Sequence, residues 1–244
     1  MKSVSRVNLI GFSSAALILS SSLLAGCGGS SSGASAFDPS LAGTYQGVGL
    51  NTSGPSSPDA TTVKLIVDST GHVTGTGVDV TGDGSTNNFT GTVDGNGVLT
   101  TPLLTAPFVK NKTTNVSTSQ FTETNGTKGT LNLGIAPMAS TLTGTFSGSA
   151  TPSGGTAGTA TFTIAANGAI TGAVALAGKT SSLLGFVDSS NNVFLAYKSP
   201  TVSLPSAGLG TLSLGGSGIT GQITENHSDG TTSTIALSLA KTSG

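Results

Sequence analysis

Several residue types are scarce in this 244-residue chain. Each scarcity excludes a structural feature or a class of function. Cysteine occurs once, at Cys27, so no disulfide can form within the chain. Only 8% of the residues are charged, whereas about 25% is usual in globular domains. Arginine occurs only as Arg6, so the rest of the chain lacks the side chain that binds phosphate in a bidentate manner. We therefore expect no nucleic-acid partner, because that function depends on clustered basic residues.

Residues with catalytic chemistry are also few. Histidine occurs only as His72 and His227, both in polar turn sequences where we expect them to be exposed. A Ser-His-Asp arrangement needs a carboxylate to hold its histidine, and Asp229 is a candidate beside His227. The G-x-S-x-G string at residues 29–33 lacks the strand-turn-helix context of a nucleophile elbow. We therefore predict a non-enzymatic protein with no catalytic residues, no zinc site and no cofactor.

The N-terminal segment has the pattern of a secretion signal. Lys2 and Arg6 precede an apolar, serine-containing run over residues 7–24, which is typical of a signal peptide. The run ends in "LAGC", which resembles the lipobox of bacterial lipoproteins. That resemblance implies a diacylglyceryl group on Cys27, an acyl chain such as palmitate on its amino group, and, with Gly28 next, a place in the outer membrane. Two acyl chains are enough for stable anchoring.

The composition after Cys27 suggests four segments. Glycine and serine dominate "GGSSSGASAFDPS", which is typical of a flexible linker. We expect a signal peptide at 1–26, a lipidated cysteine and flexible tether at 27–41, and β units at 42–150 and 151–244.

From residue 42 onward apolar residues alternate with polar ones. The pattern is clear at Val63, Leu65 and Val67, and no window shows the period of a helix. A period of two that is rich in threonine and valine is the signature of a β-strand. Turn sequences such as "DGNGV" and "AANGA" separate the runs and are typical of hairpins. We predict an all-β fold of about fourteen or fifteen strands, mostly an antiparallel meander.

Several predicted strands carry a glycine between two apolar core positions. Glycine weakens a strand, so its repetition needs a reason, and strong curvature of the sheet is a physical one. The alternative is a general enrichment in glycine. The glycines are Gly91, Gly144, Gly172, Gly185 and Gly221.

Four short sequences recur in the same order in the second half of the chain. The pairs are "GTYQG" with "GTFSG", "LIVDSTGHVTG" with "FTIAANGAITG", "FTGTVD" with "LLGFVD", and "GTLNLG" with "GTLSLG". We therefore predict two related units that meet near residues 144–155. Each unit could close its own barrel or sandwich, or both could form one larger structure. The segments "SLLGFV" and "NVFLAYK" are apolar on both faces, so we expect them between the units or at a partner surface.

A glycine-punctuated meander behind a lipobox is similar to the calycin-like barrels of bacterial surface lipoproteins, including those of transferrin-binding protein B. The resemblance covers most of residues 42–240 and implies the architecture alone, because the charged partner-binding loops of that family have no match here.

One loop has the spacing of a calcium site. The sequence "DVTGDGSTN" resembles a D-x-[DN]-x-[DN]-G loop, with Gly84 at its sharp turn. However, Thr90 occupies the place of the bidentate acid, and the flanks are predicted strands and not helices. We expect an ordinary polar hairpin loop, with weak calcium binding as the alternative. The candidate ligands are Asp79, Thr81, Asp83, Ser85 and Asn87.

These observations predict a membrane-anchored bacterial lipoprotein with a non-catalytic β-barrel or β-sandwich ectodomain. We expect it to bind a protein partner or a small apolar ligand at the cell envelope. The alternatives are a structural surface or adhesin-type subunit and an envelope hydrolase. A roomy apolar interior in either unit would favour ligand binding.

Overall fold

The computed structural model describes residues 36–82, 84–108, 116–136, 142–215 and 217–243. Cys27, the predicted signal peptide and most of the predicted tether lie outside these residues. Within them the chain forms one short 3-10 helix (Pro39–Leu41) and sixteen β-strands, so the all-β prediction is confirmed. Among the described residues there is no helix with the length and apolar character needed to cross a membrane.

The strands form two closed barrels. Barrel 1 consists of β1 (Gly43–Ser53), β2 (Asp59–Val67), β3 (His72–Asp79), β4 (Thr86–Val93), β5 (Val98–Thr100), β6 (Leu104–Pro107), β7 (Val116–Glu123) and β8 (Lys128–Ile135). Barrel 2 consists of β9 (Gly144–Pro152), β10 (Gly158–Ile164), β11 (Ala169–Leu176), β12 (Lys179–Val187), β13 (Asn192–Lys198), β14 (Pro205–Gly215), β15 (Gly218–His227) and β16 (Thr232–Ser243).

Both barrels are antiparallel meanders. Each strand pairs with the next one along the chain, and the first strand pairs with the last, β1 with β8 and β9 with β16. The meander prediction is therefore confirmed. Of the architectures that the sequence left open, the chain forms two separate barrels.

The internal repeat is confirmed at three of its four matches. The first pair of sequences begins β1 and β9, the second spans the β2–β3 and β10–β11 hairpins, and the third ends β4 and β12. The fourth match is wrong, because "GTLNLG" lies in the last strand of barrel 1 and "GTLSLG" lies in β14, two strands before the end of barrel 2. Alternating leucine, threonine and glycine fits any strand of this composition, so that match carried no positional information.

Two predicted boundaries differ from the structure. Barrel 2 begins at Gly144 and not after residue 150, because β9 closes barrel 2 by pairing with β16. The tether was predicted to extend to residue 41, but Phe37 and Leu41 pack against the core of barrel 1. Asp38 caps the 3-10 helix between them by accepting a hydrogen bond from the backbone N–H of Ser40.

Most of the described hairpins have the same type of turn. In the β2–β3 turn, Gly71 N–H donates to the carbonyl of Asp68, and Asp68 N–H donates to the carbonyl of His72. This is a three-residue loop whose last position has positive φ. Glycine fills that position in most of the turns, and Asn191 fills it at the β12–β13 turn with φ 62°.

The glycines within strands allow close contact between neighbouring strands. A Cβ atom at Gly172 would overlap the backbone carbonyl of Thr161, and one at Gly185 would overlap that of Phe194. Each of these carbonyls belongs to the adjacent strand. A side chain at either position would therefore clash with the adjacent strand, and the proposed link to sheet curvature stays a prediction.

The two barrels pack together through the outer faces of β1 and β2 on one side and of β13 and β14 on the other. This contact buries a separate apolar cluster comprising Val48, Leu50, Ala60, Phe194, Ala196 and Ala207. The position of "NVFLAYK" between the units is thus confirmed, and it explains why that strand is apolar on both faces. Val193, Leu195 and Tyr197 point into barrel 2, whereas Phe194 and Ala196 point towards barrel 1.

The β12–β13 turn makes a second contact between the barrels. Ser189 N–H donates to the carbonyl of Ile135 in barrel 1 at 3.0 Å. Burial raises the pKa of Asp188, although hydrogen bonds from Asn192 and Ser190 act in the opposite direction. The carboxylate of Asp188 lies close to Gly134. A Cβ atom added to Gly134 would be 2.5 Å from Asp188 Oδ2.

We predict that Gly134→Ala destabilises the protein by about 1–3 kcal/mol, because the added methyl group overpacks the contact with Asp188 and Phe194. Urea denaturation measures the change. Gly215→Ala is the matched control, because nothing lies within 4 Å of a Cβ atom at that strand position. Equal free energies of unfolding for the two variants would contradict the prediction.

Candidate functional site

The interiors of the two barrels differ. The interior of barrel 2 is filled by a large apolar cluster that includes Phe146, Phe162 and Leu195. Barrel 1 instead contains an open cavity of about 260 Å³. This cavity is the candidate functional site.

One end of barrel 1 is closed. The rings of Tyr45 and Phe108 pack edge to face there, with centroids 4.9 Å apart. The hydroxyl of Tyr45 donates to the carbonyl of Leu41 at 2.8 Å, and Phe37 also packs against this core. The chain therefore enters barrel 1 at its closed end, and the cavity opens at the other.

The wall of the cavity is mainly apolar. Alternation directs every second residue of each strand inward, so that Val63 and Leu65 line the cavity while Lys64 and Ile66 face outward. Gly49 also lines the cavity, and nothing lies within 4 Å of a Cβ atom built there. The remaining apolar lining residues are Phe89, Leu99, Leu103, Leu104, Phe121 and Leu131.

The mouth of the cavity is polar and acidic. The carboxyl groups of Asp59, Asp79 and Glu123 line it, together with the amide of Asn51. Asn51 Nδ2 donates to Glu123 Oε1 at 3.3 Å and to the carbonyl of Ser56 at 3.2 Å. Within the part of the chain that the structure describes, no lysine, arginine or histidine lines this cavity.

Asp59 and Asp79 form a carboxyl pair at the ends of β2 and β3. The hydroxyl of Thr81 donates to Asp59 Oδ1 at 2.5 Å. Burial raises the pKa of Asp59, and the adjacent Asp79 raises it further, against the lowering effect of Thr81. The pair is thus held together in a partly buried position where two negative charges oppose each other.

The predicted calcium ligands are largely engaged within the protein. Asp79 Oδ1 accepts from the backbone N–H groups of Thr81 and Gly82, at 3.0 and 2.7 Å. The carbonyl of Ser85 accepts from Asp79 N–H at 3.0 Å. Thr81 is turned towards Asp59, and Asn87 is exposed and lies at the cavity. Asp83 lies outside the described residues, so the calcium alternative stays a prediction.

The other side of the mouth is uncharged. Thr101 Oγ1 accepts from the backbone N–H groups of Leu103 and Leu104 in the β5–β6 turn. Thr124 N–H donates to the carbonyl of Leu103 at 2.9 Å, which ties this turn to the β7–β8 turn. The side chain of Leu103 is 51% exposed. The mouth therefore has an acidic side and an apolar side.

The equivalent end of barrel 2 is closed by a buried polar group, which we call the Glu225 cluster. Tyr197 donates to Glu225 Oε1 at 2.5 Å, and Ser233 donates to the other oxygen of Glu225. Burial, and then the charge of Glu225, raise the pKa of Tyr197 well above its ordinary value, so the phenol stays a donor. The cluster comprises Tyr197, Ser199, Ser206, Glu225, His227 and Ser233.

The expectation of an exposed His227 was wrong. This residue is 3% exposed, and its ring nitrogens contact Ser206 Oγ at 2.8 Å and Ser233 Oγ at 3.1 Å. Ser206 has no exposed surface. Asp229 is exposed and bonds to Thr231 and not to the histidine ring. His72 is exposed, as expected.

Sequence reasoning missed Asp59 and Glu123, because no motif connects acids on β2 and β7. One signal was available for Asp59, which shares the alternation phase of Val63 and Leu65 and so points inward at the strand end. Glu123 has the same relation to Phe121 on β7.

No protein-family model matches this chain, and no curated protein matches it in sequence. A solved structure with some similarity is that of a protein of unknown function from the DUF3598 family of Nostoc punctiforme PCC 73102. It is 12% identical, the match covers 82% of this chain and 96% of that one, and the TM-score is 0.28. A TM-score this low supports no argument about function.

We predict that Tyr197→Phe costs about 1.5–3 kcal/mol of stability, because it removes a donor from a buried carboxylate. Tyr45→Phe is the matched control, since its hydroxyl donates to the neutral carbonyl of Leu41, and it should cost about 0.5–1.5 kcal/mol. Urea denaturation of both variants tests the difference. An equal or smaller loss for Tyr197→Phe would contradict the importance of the Glu225 cluster.

Proposed function

We propose that this chain is a lipid-anchored bacterial envelope protein whose barrel 1 binds a small, partly apolar ligand. The observation that carries the proposal is the open cavity of about 260 Å³, with apolar walls and a single polar mouth. Binding pockets of proteins share this combination of an apolar lining and a few placed polar groups.

The comparison of the two barrels supports the proposal. At two cavity-lining positions of the repeat the residue in barrel 2 is larger and apolar, because Val174 corresponds to Gly77 and Leu176 to Asp79. Both replacements are buried in the core of barrel 2. The shared topology therefore allows a filled interior, and at these two positions barrel 1 instead has a smaller or polar side chain.

The size of the cavity limits the ligand. An apolar cavity of about 150 Å³ holds benzene, and typical ligand pockets begin at about 300 Å³. A cavity of about 260 Å³ therefore suits a fused ring system or a short branched chain. It is too small to enclose a long lipid chain.

We predict that side chains introduced at Gly49 reduce ligand binding in order of their size. The series Gly49→Ala, Gly49→Val and Gly49→Leu fills the cavity progressively, because a Cβ atom there meets nothing within 4 Å. The neutral indole tryptophol is a suitable probe of fitting size. Since the protein has no tryptophan, the fluorescence anisotropy of the probe reports binding without background.

The matched control is Gly215→Leu, at a strand position in barrel 2 that is also free of contacts within 4 Å. This variant should bind like the unaltered protein. Circular dichroism and thermal unfolding establish that each variant is folded. Tryptophol binding that is unchanged in folded Gly49→Leu would overturn the proposed function.

The proposed anchor is Cys27, which lies outside the described residues. The sequence "LAGC" and the absence of a second cysteine support it. The described chain enters barrel 1 at the closed end, beside Phe37 and Leu41. We propose the outer membrane as the location, based on Gly28.

We predict that Cys27→Ser abolishes the incorporation of labelled fatty acid, because the thiol is the site of the first lipid attachment. Metabolic labelling with palmitate, followed by membrane fractionation, measures this. Ser22→Ala, a change within the apolar run before the lipobox, is the control and should be labelled normally. Labelling that persists in Cys27→Ser would contradict the proposed anchor.

A further inference from the structure

The mouth of the barrel 1 cavity also indicates the chemical class of the ligand. We propose that the cavity binds a small amphipathic amine, with its ammonium group at the acidic side of the mouth and its apolar body inside the barrel. This inference rests on the proposed ligand-binding function of the same cavity.

The acidic groups occupy a continuous arc of the mouth. Asp79 on β3 lies beside Asp59 on β2, where the strand register pairs Asp79 with Thr61. Asp59 is in turn paired with Asn51 on β1, and the amide of Asn51 contacts Glu123 from β7. Because the described lining contains no basic side chain, this arc attracts a cation and repels an anion.

The hydrogen-bonding groups at the mouth also favour a ligand that donates. Three of the described side-chain donors there are already engaged: Thr81 with Asp59, Asn51 with Glu123, and Thr101 with the carbonyl of Leu104. Carboxylates have several acceptor sites each, and an ammonium group has three donors and no acceptor. An amine therefore complements the mouth in hydrogen bonding as well as in charge.

The rest of the cavity suits an organic cation. Below the carboxylates the lining is apolar, with Leu65, Phe121 and Leu131. An apolar body attached to the cation would cover these walls.

The carboxyl pair provides support from electrostatics. Burial and the proximity of Asp79 both raise the pKa of Asp59, which means that its negative charge is unfavourable in the unliganded mouth. An ammonium group placed beside the pair would offset the repulsion between the two carboxylates.

Three indole compounds that differ mainly in the charge of the side chain test the inference at neutral pH with the full-length protein. Tryptamine is a cation, tryptophol is neutral and indole-3-acetate is an anion. We expect tryptamine to bind about tenfold more tightly than tryptophol, a difference of about 1.4 kcal/mol in binding free energy. Indole-3-acetate should bind most weakly, and added salt should weaken tryptamine alone.

Variants that neutralise one carboxylate at a time test which groups cause the preference for tryptamine. Asp59→Asn and Glu123→Gln should each reduce the ratio of tryptamine affinity to tryptophol affinity. Asp229→Asn removes the same charge from an exposed turn of barrel 2 and is the matched control, with an unchanged preference. The salt dependence of the unaltered protein requires no variant, so the test does not depend on the folding of Asp59→Asn.

The outcomes separate the two proposals. The amine inference would be overturned if all three compounds bound equally or if indole-3-acetate bound best. If Gly49→Leu also lost that binding, the proposed ligand-binding function would still hold. Absence of binding by all three compounds would overturn both.

Discussion

Pairing of the first strand of each meander with the last is the constraint on which both halves of this protein depend. An open meander would expose two edge strands with unpaired backbone groups, which invite aggregation. Charged residues commonly protect such edges, but only 8% of this chain is charged. The β1–β8 and β9–β16 pairings instead remove the edges altogether. Closure in turn requires strong curvature, and glycines such as Gly172 permit it by letting a neighbouring carbonyl occupy the place of a side chain.

Closure with eight strands also explains how one topology produces both a filled and a hollow barrel. An eight-stranded barrel is just wide enough for side chains to fill it or for one small ligand to enter. The outcome therefore depends on a few inward-facing residues. In the matched strands, Leu65 of barrel 1 corresponds to Phe162 of barrel 2, and Gly49 corresponds to Ala150. Other matched positions differ in the opposite direction, since Val63 corresponds to the smaller Ala160 and Phe89 to the smaller Leu183. The cavity therefore reflects the combination of inward-facing residues and not a uniform loss of volume.

The fold was largely predictable from sequence, because it depends on local patterns. Alternating apolar residues identify the strands, and a motif such as Asp68 to His72 specifies its own turn through contacts within five residues. The cavity and the Glu225 cluster depend instead on which strands become neighbours. Glu225 and His227 occupy alternate inward positions of β15, but their partners come from β13, β14 and β16. Spacing along the chain contains no information on such contacts, and for that reason His227 was expected in solvent.

The contact between the barrels joins the packed barrel 2 to the cavity wall of barrel 1. Along β1 and β2, residues that face barrel 2 alternate with residues that line the cavity. Val48 and Leu50 are buried against barrel 2, while Gly49 and Asn51, next to them in the chain, face the cavity and its mouth. The same holds for Ala60 and its neighbour Asp59. The packed core of barrel 2 therefore supports the wall that carries Asp59 and Asn51, and strands fixed in this way preorganise a binding site. On this view, barrel 2 contributes to ligand binding because its packed core supports the cavity wall of barrel 1.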